Sequence, residues 1–325
     1  MMFDPIHGGR TEAPRVLFIR GVTQRSGTNF LRDLLLLHPD CVRARAPIWE
    51  DFALDELRQL DAYVRRTAAH WPESWSVPKA AVAAQISAEL GSAVVRSVIG
   101  VQEGKTTIAK TPSVQGLDAF SRFFPEELLI VLVRDGRDVV ESMVRSFGWT
   151  FERALHEWTV AANAVVQFRQ QTASDEGRRW MLMRYEDVLD DTIANTDRVC
   201  GFAGLDRGKI APDDVATLPV RGSSQFATDD GVVHWRPVTP DDSFRPVARW
   251  ADWSTAEHQR FNHVAGEAMS ALGYDIVPSD PATRIKQVMY RLQTLRNVSG
   301  AKVRKLRRAT KSPLAPLVTR QGMED

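Results

Sequence analysis

The chain is poor in cysteine: 325 residues hold only two, Cys41 and Cys200. Two thiols make neither a disulfide framework nor a metal site, and they read as core thiols of a reducing compartment. Lysine is scarce too. Eight of the 42 basic residues are Lys, which leaves 34 Arg, the residue suited to bidentate recognition of phosphate or sulfate. Net charge of one sign is nearly absent, at +1, which argues against nucleic acid as a general partner. No apolar run approaches membrane-spanning length, and the first residues lack the apolar stretch of a signal peptide. There is no internal repeat. These absences predict a soluble, cytoplasmic protein.

What is present is a core and two distinctive turns. Hydrophobic residues make up 43% of the chain, enough for one large α/β domain. Val16-Leu-Phe-Ile-Arg-Gly-Val-Thr-Gln-Arg-Ser-Gly-Thr-Asn-Phe30 and Leu128-Leu-Ile-Val-Leu-Val-Arg-Asp-Gly-Arg-Asp-Val-Val-Glu-Ser142 each read as buried strand, tight polar turn, then helix. A turn of this kind offers free backbone N–H groups at the positive end of a helix, which is an anion site. Two such turns in one domain imply a ligand with two separate anionic groups.

The rest of the chain fits a parallel sheet with helical crossovers. Residues 1–14 read as a loose arm, 15–275 as the main domain and 276–325 as a basic helix and tail. Strands are expected at 15–22, 106–110, 128–133 and 180–184, the first without the alternation of a one-sided sheet. Helices are expected at 30–37, 77–99, 138–147, 150–171, from about 186, and at 254–273. Residues 41–77 read as irregular and rich in Trp, and 211–246 as a long loop. The last helix has Ser254 as N-cap, Glu257 at N3 and Gly273 as its stop. Between Pro281 and Gly322 there is no acidic residue, while Ile285, Val288, Met289, Leu292 and Leu295 recur at helical spacing. Such a segment can lie on an anionic membrane as a peripheral contact, or dock on the domain and continue as a solvated tail.

The first turn is not a Walker A loop. Gly27 is followed by Thr28 and Asn29, so the phosphate-binding Lys is missing. At the end of the second strand stands Arg134, which repels magnesium and attracts phosphate. The pair suits a phosphorylated cofactor held without metal.

At these residues the chain resembles the sulfotransferases that use 3′-phosphoadenosine 5′-phosphosulfate (PAPS). Arg25-Ser-Gly-Thr-Asn29 resembles the family's 5′-phosphosulfate loop, with Asn29 in place of a second Thr. Arg134 and Ser142, eight residues apart, resemble its 3′-phosphate pair. Arg184-Tyr-Glu-Asp-Val188 is similar to the segment whose Tyr lies by the adenine, here Tyr185. Arg221-Gly222-Ser223-Ser224 is similar to the segment that closes over the nucleotide. Ala109-Lys-Thr-Pro112 resembles the Lys-Thr-Pro strand end of glycan and protein sulfotransferases, and Arg249-Trp250 with residues 254–274 resembles the family's last helix. The resemblance runs in family order over about residues 15–275.

The resemblance implies an α/β, P-loop-like three-layer fold, a central parallel sheet flanked by helices. It implies PAPS as sulfate donor, held by Arg25, Ser26, Gly27, Thr28, Asn29, Arg134, Ser142, Tyr185, Arg221, Gly222 and Ser223, with no metal. Sulfuryl transfer needs positioning, charge stabilisation and a base for the acceptor's proton. Lys110 and Arg25 would stabilise the transferring group. The His that cytosolic small-molecule members carry at this strand end is absent. Glu50, within Ala46-Pro-Ile-Trp-Glu-Asp-Phe52, is the carboxylate base by resemblance, with Asp51 and Glu103 as alternatives and a plain helix-terminal carboxylate as the structural reading. Trp49, Trp71, Trp75, Phe147 and Trp149 are candidates to border the site. The expected acceptor is a hydroxyl of a carbohydrate or glycolipid. Tyrosylprotein transfer, a P-loop nucleotide kinase and a non-catalytic binding protein are the alternatives.

Overall fold

The computed structural model describes residues 15–45, 50–175, 179–221, 238–239, 246–278, 286 and 289–290. Among them a five-stranded sheet runs in the order β2-β3-β1-β4-β5. Its strands are β1 (Arg15–Gly21), β2 (Cys41–Arg43), β3 (Thr106–Thr111), β4 (Leu128–Val133) and β5 (Trp180–Arg184). Every pairing is parallel. The strands are apolar on both faces because both faces are covered. Val16 and Phe18 of β1 join one core, with Leu129, Val131 and Val133 of β4. Leu17 and Ile19 point the other way into a second core, with Ile130 and Leu132.

The helices form the two outer layers. The second core is closed by α1 (Thr28–Leu35), α7 (Tyr185–Asp190) and α8 (Thr192–Ala203), through Leu31, Leu34, Val188 and Val199. The first is closed by α3 (Lys79–Val94), α4 (Phe120–Phe123), α5 (Gly136–Phe147), α6 (Phe151–Gln171) and α10 (Thr255–Ala271). Trp158 of α6 and Phe261 of α10, both fully buried, stack at 6.0 Å between ring centroids there. α10 starts with a complete capping box between Ser254 and Glu257, as its sequence predicts.

Residues 41–77 are more regular than their composition predicts. They hold β2, α2 (Leu57–Ala69) and a short 3₁₀ turn, Glu73–Trp75. β2 has three residues and pairs only with β3, too few for a periodic signal. α2 buries Leu57, Val64 and Ala68, a helical stripe broken up by charged neighbours. The 211–246 stretch holds α9 (Pro212–Ala216) and one antiparallel bridge, Val220 to Val238. α3 continues as a π-helical turn over Val95–Ile99. By length and composition, Lys79–Ile99 is long and apolar enough to cross a membrane, with mean hydropathy 1.2, contrary to the reading that no run approaches that length. Alanine makes the difference, since it counts as apolar without forming a bulky run. Of the basic tail beyond residue 278, only Lys286, Met289 and Tyr290 are described. Lys286 Nζ donates to Gln259 Oε1 at 3.3 Å, and Arg260 Nη1 donates to the Tyr290 carbonyl at 3.1 Å, both on α10.

The sheet has one topological switch. From β1 the chain moves out to β2, returns to β3, and later places β4 on the other side of β1. The turns after β1 and β4 therefore lie side by side at the carboxyl edge, where open α/β sheets form their crevice.

Candidate active site

The turn after β1 is closed by its own serine. Ser26 Oγ accepts from the Thr23 amide at 3.1 Å and donates to the Thr23 carbonyl at 2.6 Å. Ser26 is 1% exposed, so its hydroxyl shapes the turn and does not face the crevice. Arg25 (φ 73°) and Gly27 (φ 91°) are both left-handed. At Gly27 the glycine is required twice over: a Cβ there would lie 2.3 Å from Tyr185 Cδ2. Gly27 caps α1 without any side-chain hydrogen bond, which leaves the first α1 amides uncapped by side chains.

The turn after β4 is stiffened internally. The Asp135 carboxylate accepts from the Arg137 amide at 2.8 Å and from Arg137 Nη2 at 2.6 Å. Arg137 is thereby turned away, and its guanidinium covers the Trp250 ring at 3.9 Å. Arg134 is turned in. Its Nη1 donates to the Arg25 carbonyl at 2.6 Å, its Nη2 donates to the Pro246 carbonyl, and its plane lies 5.0 Å from the Tyr185 ring centroid. Arg134 Nε is buried and has no hydrogen-bond partner among the described residues. Ser142, fully buried on α5, accepts from Arg25 Nε at 2.9 Å.

A third arginine completes a positive corner. Asp138 of α5 accepts from the backbone amides of Arg249 at 2.6 Å and Ala248 at 3.1 Å, fixing that segment above α5. Burial, then the proximity of Arg134, then Arg249, lowers the Arg25 pKa to about 10. Burial and Arg134 do the same to Arg249, also to about 10. Arg134 thus disfavours the charge of both Arg25 and Arg249, and such a corner gains from an anion. Arg221 reaches the same space and is oriented by a 2.8 Å bond from its Nε to Asp33 Oδ2.

At the other end stands an ion pair. Lys110 in β3 meets Glu50 with Nζ 2.9 Å from Oε1. Burial lowers the Lys110 pKa, and Glu50 opposes that shift. Of the two other acids, Asp51 has a side chain 1% exposed and paired with Arg20 at 2.6 Å, behind the site. Glu103 is exposed and precedes β3, at the opposite edge of the sheet.

These groups surround one cavity of about 570 Å³, within the usual range for small-molecule sites. Arg25, Gly27, Thr28, Asn29, Glu50, Lys110, Arg134, Tyr185 and Arg221 line it, while Ser26 and Ser142 lie just behind the wall. Gly222, Ser223 and Trp49 lie outside the described residues. Phe147 and Trp149 line the cavity, 5.4 Å apart, whereas Trp71 and Trp75 do not. Phe30, Arg153 and Arg249 line it without having been singled out as ligands. Phe30 stands edge-on to Tyr185 at 6.3 Å, and Arg153 covers Trp149 at 3.7 Å. Arg153 stands in the first turn of α6, just after Trp149; for Arg249 the contact depends on Asp138, more than a hundred residues away in the chain.

A family model described as the sulfotransferase family matches residues 16–208. No curated protein sequence matches the chain significantly. Among solved structures, the sulfotransferase domain from the curacin biosynthetic pathway is similar at 17% identity and TM-score 0.49, covering 81% of this chain and 99% of that one. The sulfotransferase domain of the Synechococcus PCC 7002 olefin synthase is similar at 18% identity and TM-score 0.47, covering 86% of this chain and 100% of that one. Mouse sulfotransferase SULT7A1 complexed with PAP is similar at 14% identity and TM-score 0.43, covering 78% of this chain and 84% of that one.

Proposed function

The chain belongs to the sulfotransferase family, and from that premise we propose that it moves a sulfuryl group from PAPS to a hydroxyl of a carbohydrate or glycolipid. The observation that carries the proposal is the joining of the two anion turns by Arg25, Ser142 and Arg134 around one cavity whose far end holds the Glu50–Lys110 pair. The residues fit the donor. Arg134 Nε is a buried donor with no partner among the described residues, and Arg25 and Arg249 carry charge that burial and their neighbours disfavour. A ligand with two anionic groups relieves all three.

In this reading Arg134, Ser142 and Arg249 hold the 3′-phosphate side, and Arg25, expected from the sequence to stabilise the transferring group with Lys110, joins them there because its Nε donates to Ser142. The loop amides and hydroxyl of residues 25–29 hold the 5′ side, and Tyr185 with Phe30 meets the base. The bound donor supplies an activated sulfuryl group. Glu50 takes the proton of the acceptor hydroxyl as its oxygen bonds to sulfur, and Lys110 faces the charge that develops as the bridging S–O bond breaks. No metal is needed, because arginines and helix amides supply the positive charge. Phe147 and Trp149 offer an aromatic wall on which a sugar ring can lie.

The test is incubation with labelled PAPS, in chelator, against a panel of glycans, glycolipids and tyrosine peptides. Label on a sugar hydroxyl is the expected result. Label on tyrosine alone replaces the acceptor class, and turnover that requires ATP and magnesium overturns the donor.

A further inference from the structure

The buried ends of β1 and β3 carry a polar network that the proposed chemistry does not use. Arg20 stands opposite Thr111 in the register of these strands, with its side chain wholly inaccessible. Its Nη2 donates to Asp51 Oδ1 at 2.6 Å. The same oxygen accepts from the Ala53 amide at 2.8 Å. Thr111 Oγ1 donates to Asp51 Oδ2 at 3.2 Å and accepts from the Phe52 amide at 3.1 Å. Between these anchors Phe52 is held left-handed, at φ 48°, although it is a bulky aromatic and half exposed.

Stability is a poor explanation for this arrangement. A buried ion pair adds little to folding unless its remaining donors are satisfied. Arg20 Nε and Nη1 are buried and have no hydrogen-bond partner among the described residues. What distinguishes the network is where its members sit. Asp51 directly follows Glu50, and Thr111 directly follows Lys110. One side-chain bond, Thr111 to Asp51, thus ties together the two backbone segments whose preceding residues meet at 2.9 Å. Strain at Phe52 and a costly buried charge are both spent on the geometry of that meeting.

We infer that Asp51, braced by Arg20 and Thr111, is a positioning residue that holds the Glu50 carboxylate against Lys110. The inference rests on reading Glu50 and Lys110 as the reacting pair, but its geometry can be tested without turnover. Lys110 is a reporter. Glu50 raises its pKa against burial, while Arg32 of α1 lowers it and Asp33 raises it alike in every variant. The chain has only eight lysines, so their ¹³Cε signals are few enough to follow, and Lys110→Arg identifies the one that matters.

In the full chain, Thr111→Val removes the hydroxyl and keeps the β-branched shape of the strand residue. The expected result is a fall of about one pH unit in the Lys110 titration midpoint, as Glu50 drifts away. Glu50→Gln should shift it in the same direction, and Thr111→Ser should leave it with wild type. Thr111→Ala takes the place of valine if the added methyl is not accommodated. A folded Thr111→Val protein whose Lys110 titrates with wild type overturns the inference, and so does a Thr111→Ser protein that shifts as far as the valine variant. Calorimetry with adenosine 3′,5′-bisphosphate separates this from the donor reading. A chain that binds none of it loses the proposed donor, while the lysine titration still reports on the positioning.

Discussion

Arg25 and Ser142 are 117 positions apart and are joined by a 2.9 Å hydrogen bond from the guanidinium Nε to the hydroxyl. The bond fastens the loop after β1 to the helix after β4. Arg134 fastens them a second time, at the Arg25 carbonyl. The two anion turns are therefore one unit. A hydroxyl that accepts one bond still has its own hydrogen to give, so Ser142 can turn that hydrogen to a phosphate without releasing Arg25.

Adenosine 3′,5′-bisphosphate should stabilise the protein in the presence of chelator, because a ligand that binds only the native state raises its stability by mass action. Arg134→Ala should weaken that binding by about 2 to 3 kcal/mol, the worth of a hydrogen bond to a charged group. Thermal unfolding with and without the nucleotide measures both. A wild-type protein that shows no shift at saturating nucleotide refutes the proposed donor.

Glu50 and Asp51 are adjacent and should fail differently. Glu50→Gln keeps shape and removes basicity, so nucleotide affinity should persist while turnover falls by about 10²- to 10⁴-fold. Asp51→Ala leaves Arg20 buried and unpaired, and breaking such a pair typically costs about 3 to 5 kcal/mol of stability. Turnover and urea unfolding of both variants separate the roles. Normal turnover in Glu50→Gln would remove the base assignment.

Asp138 should give the protein a pH-dependent stability. Burial, against the pull of Arg134, raises its pKa from 3.8 to about 6. The folded chain thus holds this proton more tightly than the unfolded chain does. The stability it contributes is full below about pH 3.8 and is lost as the pH rises through about 6. Asp138→Asn cannot titrate, so its unfolding free energy should gain on wild type between about pH 4 and about pH 7. Urea unfolding at several pH values measures the difference, and parallel curves would contradict it.

Gly27→Ala should be costly for two independent reasons. The residue is at φ 91°, and the new methyl would lie 2.3 Å from Tyr185 Cδ2. Left-handed strain alone costs about 1 to 3 kcal/mol. The displaced tyrosine should also lower affinity for adenosine 3′,5′-bisphosphate. Equal affinity in this variant would mean that Tyr185 does not meet the base.

Much of this architecture is legible in the chain because the informative pieces are local. Leu128–Val133 is apolar throughout because it is buried throughout, and Ser254 with Glu257 is a complete helix start within four residues. The site candidates after β1 and β4 were readable because strand, turn and helix follow one another in sequence. β2 was not, since three residues paired to one neighbour carry no period. Arg249 was not readable as a ligand either. Its place depends on Asp138 gripping two backbone amides from across the fold, and nothing near Arg249 in the chain announces that carboxylate. Ser26 shows the opposite limit, a motif residue whose hydroxyl closes its own turn.

The cavity's charge is out of proportion to that of the protein. Among the described residues, Arg25, Lys110, Arg134, Arg153, Arg221 and Arg249 line it against a single carboxylate, Glu50, while the chain as a whole carries +1. Field lines from such a cluster leave through the mouth of the crevice, because the apolar walls around it screen poorly. Small anions should therefore be steered into the site from several ångströms away, and their association rate should drop as salt shortens the Debye length.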